Sequence, residues 1–295
     1  MENYGETGEH IAMKVSWNTV VVNVALSVFK LAAGIIGRSA AMISDAVHTI
    51  SDVLSTFIVM IGVKAAAKKA DSKHPYGHER FECVAALILS VMLFATGLGI
   101  GYGGIRTVLV GRSEALPIPG MLALVAAVVS IVVKEAMYWY TRAAAKKLNS
   151  GALMADAWHH RSDALSSIGS FIGIFGARVG YPTMDAAACL VICVFILKAS
   201  VDIFMDSINK MTDSACDDTV SQAIKELILA QDQVLGVDLL TTRLFGNRMY
   251  VDVEIRVNGA LLISDGHDVA HAVHDAIESG FENVKHCMVH VNPQP

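Results

Sequence analysis

Two stretches of this chain repeat one pattern of ionisable residues. The first is Asp45-Ala46-Val47-His48-Thr49-Ile50-Ser51-Asp52, followed by Val53-Leu54-Ser55. The second is Asp156-Ala157-Trp158-His159-His160-Arg161-Ser162-Asp163, followed by Ala164-Leu165-Ser166. Both read D-A-x-H-x-x-S-D-x-L-S. On a helix, positions i, i+3 and i+7 share a face, so each copy presents an Asp, a His and an Asp along one stripe. His48, Asp52, His159 and Asp163 together make a two-imidazole, two-carboxylate donor set that suits tetrahedral Zn2+. Asp45 and Asp156 extend the stripes as accessory groups. One copy alone fits a polar contact between helices equally well; two matched copies favour an ion site. His160 and Arg161 lie off the stripe and receive no role.

The elements that carry these stripes are read as membrane spans. Charged residues make up 17% of the chain and apolar ones 54%, against roughly 25% charge in a soluble domain, and the mean hydropathy is +0.49. A bilayer core needs roughly 20 mostly apolar helical residues. Segments near 15–36, 40–65, 83–109, 119–141, 152–178 and 184–206 meet this. Breaks are expected at Gly37-Arg38-Ser39, 66–82, 111–120 with Pro117 and Pro119, 146–151, and 179–183 with Pro182. Ionisable groups inside a bilayer cost at least about 2.5–3.5 kcal/mol each and mark ion pathways, which is why the octads stand out.

Loop charges set the orientation, since Lys and Arg gather on the cytosolic side. Lys64, Lys68, Lys69, Lys73 and Arg80 lie between spans two and three, and Arg142, Lys146 and Lys147 between four and five. Both termini are therefore expected in the cytosol. Spans two and five then run antiparallel, which brings their His–Asp pairs to similar depth, with Asp45 nearer the outer face and Asp156 nearer the cytosol. The start, MENYGETGEHIAMK, is polar and no small-residue cleavage site follows, so the first apolar stretch is read as a retained span.

From about 213 the composition changes. Segment 217–230 has helical periodicity, 234–245 and 249–257 look like strands, 264–277 like a helix and 284–291 like a last strand. This is an αββαβ domain, and the chain divides into a transmembrane region, 1–210, and a cytosolic one, 211–295. The net charge of −5 gives no polybasic argument for nucleic acid. Cys83, Cys189, Cys193, Cys216 and Cys287 form no CxxC and no disulfide framework. Cys189 and Cys193, one turn apart in an apolar run, read as small packing residues. No HExxH helix is present, which removes the main sequence argument for an intramembrane metalloprotease; no enzyme activity is expected.

Between spans two and three, Asp71, His74 and His78 stand at ligand-like spacing in Asp71-Ser72-Lys73-His74-Pro75-Tyr76-Gly77-His78-Glu79-Arg80-Phe81-Glu82. They either hold a metal or order the loop by hydrogen bonding. In the tail, Asp238, Asp252, His267, His286 and His290 are candidate ligands, whereas His271 and His274 read as surface histidines. The paired HxxxD motifs in spans two and five, the HPYGHxRxE loop and the position of the tail domain resemble the cation diffusion facilitator family over nearly the whole chain. That resemblance implies six transmembrane helices, a metallochaperone-like homodimeric cytosolic domain, and transport ligands at His48, Asp52, His159 and Asp163. It implies a second metal position in the loop and a charge interlock of Arg80 with Asp213. It also makes Asp252, His267 and His290 the best-matched regulatory ligands, although Asn292 replaces an acid found there in many members. Histidine at the first position of both motifs resembles the zinc and cadmium branch; iron, cobalt and manganese stay open. The expected activity is export of a divalent cation from the cytosol across a prokaryotic cell membrane, with protons as counter-ion. A membrane metal sensor or scaffold that binds without moving the ion is the alternative.

Overall fold

The computed structural model describes residues 2–36, 40–110, 121–178 and 184–294. The expected breaks at 37–39, 111–120 and 179–183 lie outside the described residues, and the side chains of Asp45, His48 and Cys189 are likewise outside them. The chain forms two compact units, Met1–Ser207 and Ile208–Pro295.

The first unit is helical: α1 (Glu2–Ile36), α2 (Ala40–Ala66), α3 (Arg80–Val110), α4 (Met121–Leu148), α5 (Gly151–Arg178) and α6 (Met184–Met211), the last crossing into the second unit. The shortest of these has 27 residues, which at 1.5 Å per residue exceeds a hydrocarbon core of about 30 Å. Among the described residues, Gly8–Ala33 and Arg80–Gly103 are apolar enough by composition alone to cross a membrane. Asp52 of α2, Lys134 of α4 and Asp156, His159, His160 and Asp163 of α5 are instead buried within the helical unit. On α1, Ser16, Thr19, Asn23, Ser27 and Lys30 are buried at a three- to four-residue spacing, while Trp17, Val21, Val24 and Val28 are exposed. Polar groups inside and large apolar groups outside is the arrangement that a hydrocarbon solvent selects.

Two local features set the inner packing. Helices α2 and α3 meet at Gly62, where an added Cβ would overlap the Ala85 methyl; α3 and α6 meet at Gly101, where it would lie 2.6 Å from Cys193 Sγ. Small residues at such crossings let backbones approach in the absence of a hydrophobic drive between helices. Helices α4 and α5 are joined by a two-residue link. Asn149 takes a left-handed φ of 50°, and the Ser150 hydroxyl accepts from Leu153 N–H at 3.1 Å, an N-cap that starts α5.

The second unit holds α7 (Asp218–Leu229), β1 (Gly236–Phe245), β2 (Arg248–Asn258), α8 (Ile263–Gly280) and β3 (Val284–Gln294). Strands β1 and β2 form an antiparallel hairpin turned at Gly246, φ 64°. Helix α8 is the crossover that lets β3 lie parallel to β2. Along β2, Val251, Val253, Ile255 and Val257 are buried and Asp252 exposed, the period-two alternation of a one-sided sheet. Their buried face packs on Ile224 and Ile228 of α7 and on Val269, Val273 and Ile277 of α8.

Candidate metal centre

Asp52 of α2 and His159 and Asp163 of α5 bring three ligand atoms within 4.8 Å of one another inside the helical unit. All three residues are buried. Asp52 Oδ1 lies 3.5 Å from His159 Nε2. His48, one turn before Asp52 on the α2 backbone, has no described side chain.

A fourth group completes the cluster, and it is not one of the octad residues. Lys134 of α4 is 1% exposed, and its Nζ donates to Asp52 Oδ2 at 2.6 Å and to Asp163 Oδ2 at 2.9 Å. Two carboxylates buried together repel, and an ammonium between them neutralises part of that charge where a divalent ion otherwise would. The signal was present in the sequence. Lys134 stands within Val132-Val133-Lys134-Glu135-Ala136-Met137, an ionisable side chain inside a span, the same criterion that singled out the octads. It was absorbed into the fourth span because nothing repeats it.

One turn before His159 on α5, Asp156 is fully buried. Thr56 Oγ1 of α2 donates to its Oδ1 at 3.2 Å, and His160 Nε2 lies 3.5 Å from its Oδ2. His160, given no role from the sequence, is 0% exposed and belongs to this second polar layer. Arg161 also has a place: its guanidinium lies 4.4 Å from the Tyr138 ring centroid and 5.6 Å from that of Trp158, and 3.7 Å from Glu135.

The loop after α2 brings Asp71, His74 and His78 together. His74 Nδ1 is 3.3 Å from Asp71 Oδ1, and His78 Nε2 is 3.5 Å from Oδ2. The carboxylate is also occupied by protein donors. Lys68 Nζ reaches Oδ2 at 2.7 Å, and the backbone N–H groups of His74 and Lys73 reach Oδ1 at 2.9 and 3.0 Å. The Lys68 ammonium first, then the His74 amide, hold this carboxyl well below the ordinary carboxylate range. Arg80 opens α3, and Asp213 follows α6 in a left-handed conformation, φ 58°.

In the second unit the sequence candidates separate. Asp238 sits in the β-bulge between Val237 and Leu239, which turns its carboxylate onto Arg256 Nε at 2.7 Å. Asn292 Nδ2 bridges Asp238 and Glu254, 3.1 Å from each. His290 stands in register with Glu254, and Asp252 with Met288, so the two candidate ligands are not cross-strand partners. His267, in the second turn of α8, has its ring 6.2 Å from that of His271. Among the described residues, Asp238, Asp252, His267 and His290 enter no group of three ligand atoms. His286 does, with Glu278 and His274. His274 is not a surface histidine: it is half-buried, and its Nδ1 donates to the Cys287 carbonyl at 2.7 Å. Glu278, four residues on, shares its helix, but His286 and the Cys287 carbonyl, which complete its surroundings, come from β3.

Comparison with known proteins gives these clusters a context. A family model described as the cation efflux transmembrane domain matches residues 16–212, and one described as the cation efflux protein cytoplasmic domain matches 216–294. The transporter MJ0449 of Methanocaldococcus jannaschii is 36% identical over 93% of this chain and 95% of its own. Metal tolerance protein 2 of Oryza sativa is 34% identical over 97% of this chain and 79% of its own. The manganese efflux system protein MneP of Bacillus subtilis is 30% identical over 97% of each. With both of its units matched and relatives aligned along nearly its whole length, the chain belongs to the cation diffusion facilitator family of membrane metal-efflux transporters.

Proposed function

We propose that this protein exports Zn2+ from the cytosol in exchange for protons, by alternating access to a site made of His48, Asp52, His159 and Asp163. The observation that supports the reading is the convergence of Asp52, His159 and Asp163 in a buried pocket between α2 and α5. Imidazole nitrogen in the donor set favours zinc, cadmium or cobalt over manganese, which prefers oxygen. Ligands must be deprotonated to bind metal, so loading and proton binding compete at the same atoms; histidine, titrating near neutrality, is the natural proton carrier. In the metal-free site Lys134 stands between the carboxylates, and an entering cation displaces its ammonium. Asp156 and His160 extend the polar path on one side of the site, and Asp45 is assigned to its other side.

Three further assignments belong to this reading. Asp71, His74 and His78 hold a second metal, with Lys68 withdrawing from Asp71 when it binds. Arg80 and Asp213 form the family's charge interlock. The C-terminal units pair in a homodimer, with Asp238, Asp252, His267, His286 and His290 as a reservoir for weak metal sensing. Both termini face the cytosol of a prokaryotic cell. The deciding assay is zinc flux into proteoliposomes driven by an imposed pH gradient. Wild type should carry zinc more than manganese, and a His159→Ala, Asp163→Ala double variant should carry none. Zinc transport by that variant at the wild-type rate would overturn the site assignment.

A further inference from the structure

The second unit contains a cluster whose geometry is organised by one residue of β3. Cys287 commits both of its backbone polar groups to it. Its carbonyl accepts from His274 Nδ1 at 2.7 Å, and its N–H donates to Glu278 Oε1 at 3.2 Å. The neighbouring residue, His286, turns its Nδ1 to the same Glu278 oxygen at 3.3 Å. His274 Nε2 lies 3.2 Å from that oxygen. Both α8 groups are thus fixed by backbone hydrogen bonds while their reactive atoms point at a common space.

This arrangement demands a cation. With Nδ1–H given to Cys287, a neutral His274 has its lone pair on Nε2, aimed at a carboxylate lone pair 3.2 Å away. The contact is favourable only if a proton or a metal stands between. The spacing fits a metal as well as a proton. In a tetrahedral site with bonds of about 2.0–2.1 Å, neighbouring donor atoms are roughly 3.3–3.4 Å apart. The separations here are 3.2 and 3.3 Å, and all three donor atoms fall within 4.8 Å of one another. Histidine ligands whose other ring nitrogen is held by a backbone carbonyl are the usual form of a metal-binding imidazole.

We infer that His274, Glu278 and His286 form a metal site on the α8–β3 edge of the C-terminal domain, which takes Zn2+ or a divalent ion of similar size with two nitrogens and one oxygen. Access supports it: the side chains of His286, His274 and Glu278 are 51%, 29% and 16% exposed, so the ion enters from solvent and keeps an open position for water. The adjacent Cys287 side chain is buried in the core, so it serves the site through its backbone. The site is separate from the transport ligands and its test does not depend on them.

The experiment is equilibrium titration of the full-length protein in detergent with Zn2+ against a chromogenic chelator, in an Asp52→Asn, Asp163→Asn background that removes the transport site. A His274→Gln, His286→Ala change in that background should lose one zinc equivalent. Glu278→Gln, which keeps the acceptor for Cys287 N–H, should weaken that equivalent by more than about tenfold. Far-ultraviolet circular dichroism distinguishes a lost site from a lost fold. Cobalt should report it independently, through a tetrahedral visible absorption band that both variants abolish. Unchanged stoichiometry and affinity in the folded variants would overturn the inference.

Discussion

Lys134 alters what the octads mean at the scale of single residues. Removing one partner of a buried ion pair costs about 3–5 kcal/mol because it strands the remaining charge. Lys134→Met should therefore lower the melting temperature of the metal-free protein and bind Zn2+ more tightly, with zinc restoring most of the lost stability. Equal melting curves and affinities for variant and wild type would sink the counter-ion role. Cys287 offers a second test. Burial first, then the Glu278 and Asp252 carboxylates, push its thiol up to about 12. A folded-state value above the unfolded one favours the native state at low pH, and that contribution declines as pH rises from about 9 toward 12. At pH 8 Cys287 should resist alkylation in the folded protein while half-buried Cys216 reacts first, as peptide mass mapping would reveal. The octads were legible because their chemistry repeats along one helix face. Lys134 was legible only as an ionisable residue inside a span, since its partner Asp52 lies 82 residues away; the His274–Glu278–His286 group was not, because His286 joins the α8 pair from a different element, β3.

Elements were easier to read than sites. Hydrophobic run length gave six helical spans because bilayer thickness dictates it, and period-two alternation in Met249–Val257 gave β2 because one face of its sheet is buried. Helix ends were less visible: α1 begins at Glu2 and α6 runs on to Met211, polar extensions that hydropathy cannot detect. Close crossings also escaped, since a glycine in a span does not say which helix approaches it. Gly62→Val should overpack the α2–α3 crossing at Ala85 and destabilise the protein by about 1–3 kcal/mol, measurable by thermal unfolding in detergent, while Gly99→Val, where a Cβ meets open space, should have little effect. Ser150→Ala, removing the α5 cap, should cost about 1 kcal/mol. The loop provides a test with pH. Its Asp71 contacts persist as pH falls through the ordinary carboxylate range near 4 and fail only when that depressed carboxyl protonates. Lys68→Ala should bring the failure to higher pH, visible in the His74 amide resonance; no movement of that transition would remove Lys68 as its cause.

The chain comprises two units, a helical one that buries polar groups and exposes large apolar ones, and an αββαβ one built like an ordinary soluble core. Only the first needs a bilayer. Among the described residues, α5 carries four buried ionisable groups, and Asp52 of α2 and Lys134 of α4 meet them, so the transport reading places the chemistry where three helices meet. The short link at Asn149 and Ser150 gives that meeting point a mechanical asymmetry. Lys134, His159 and Asp163 all ride on the α4–α5 hairpin, and Asp52 stands on α2, the helix that also carries His48. In the alternating-access proposal, the hairpin is one jaw and α2 the other. Any rocking that parts the jaws pulls Lys134 away from Asp52 but carries Asp163 along with it, so the ammonium keeps one hand on its own jaw and swings clear of the gap through which an ion would pass.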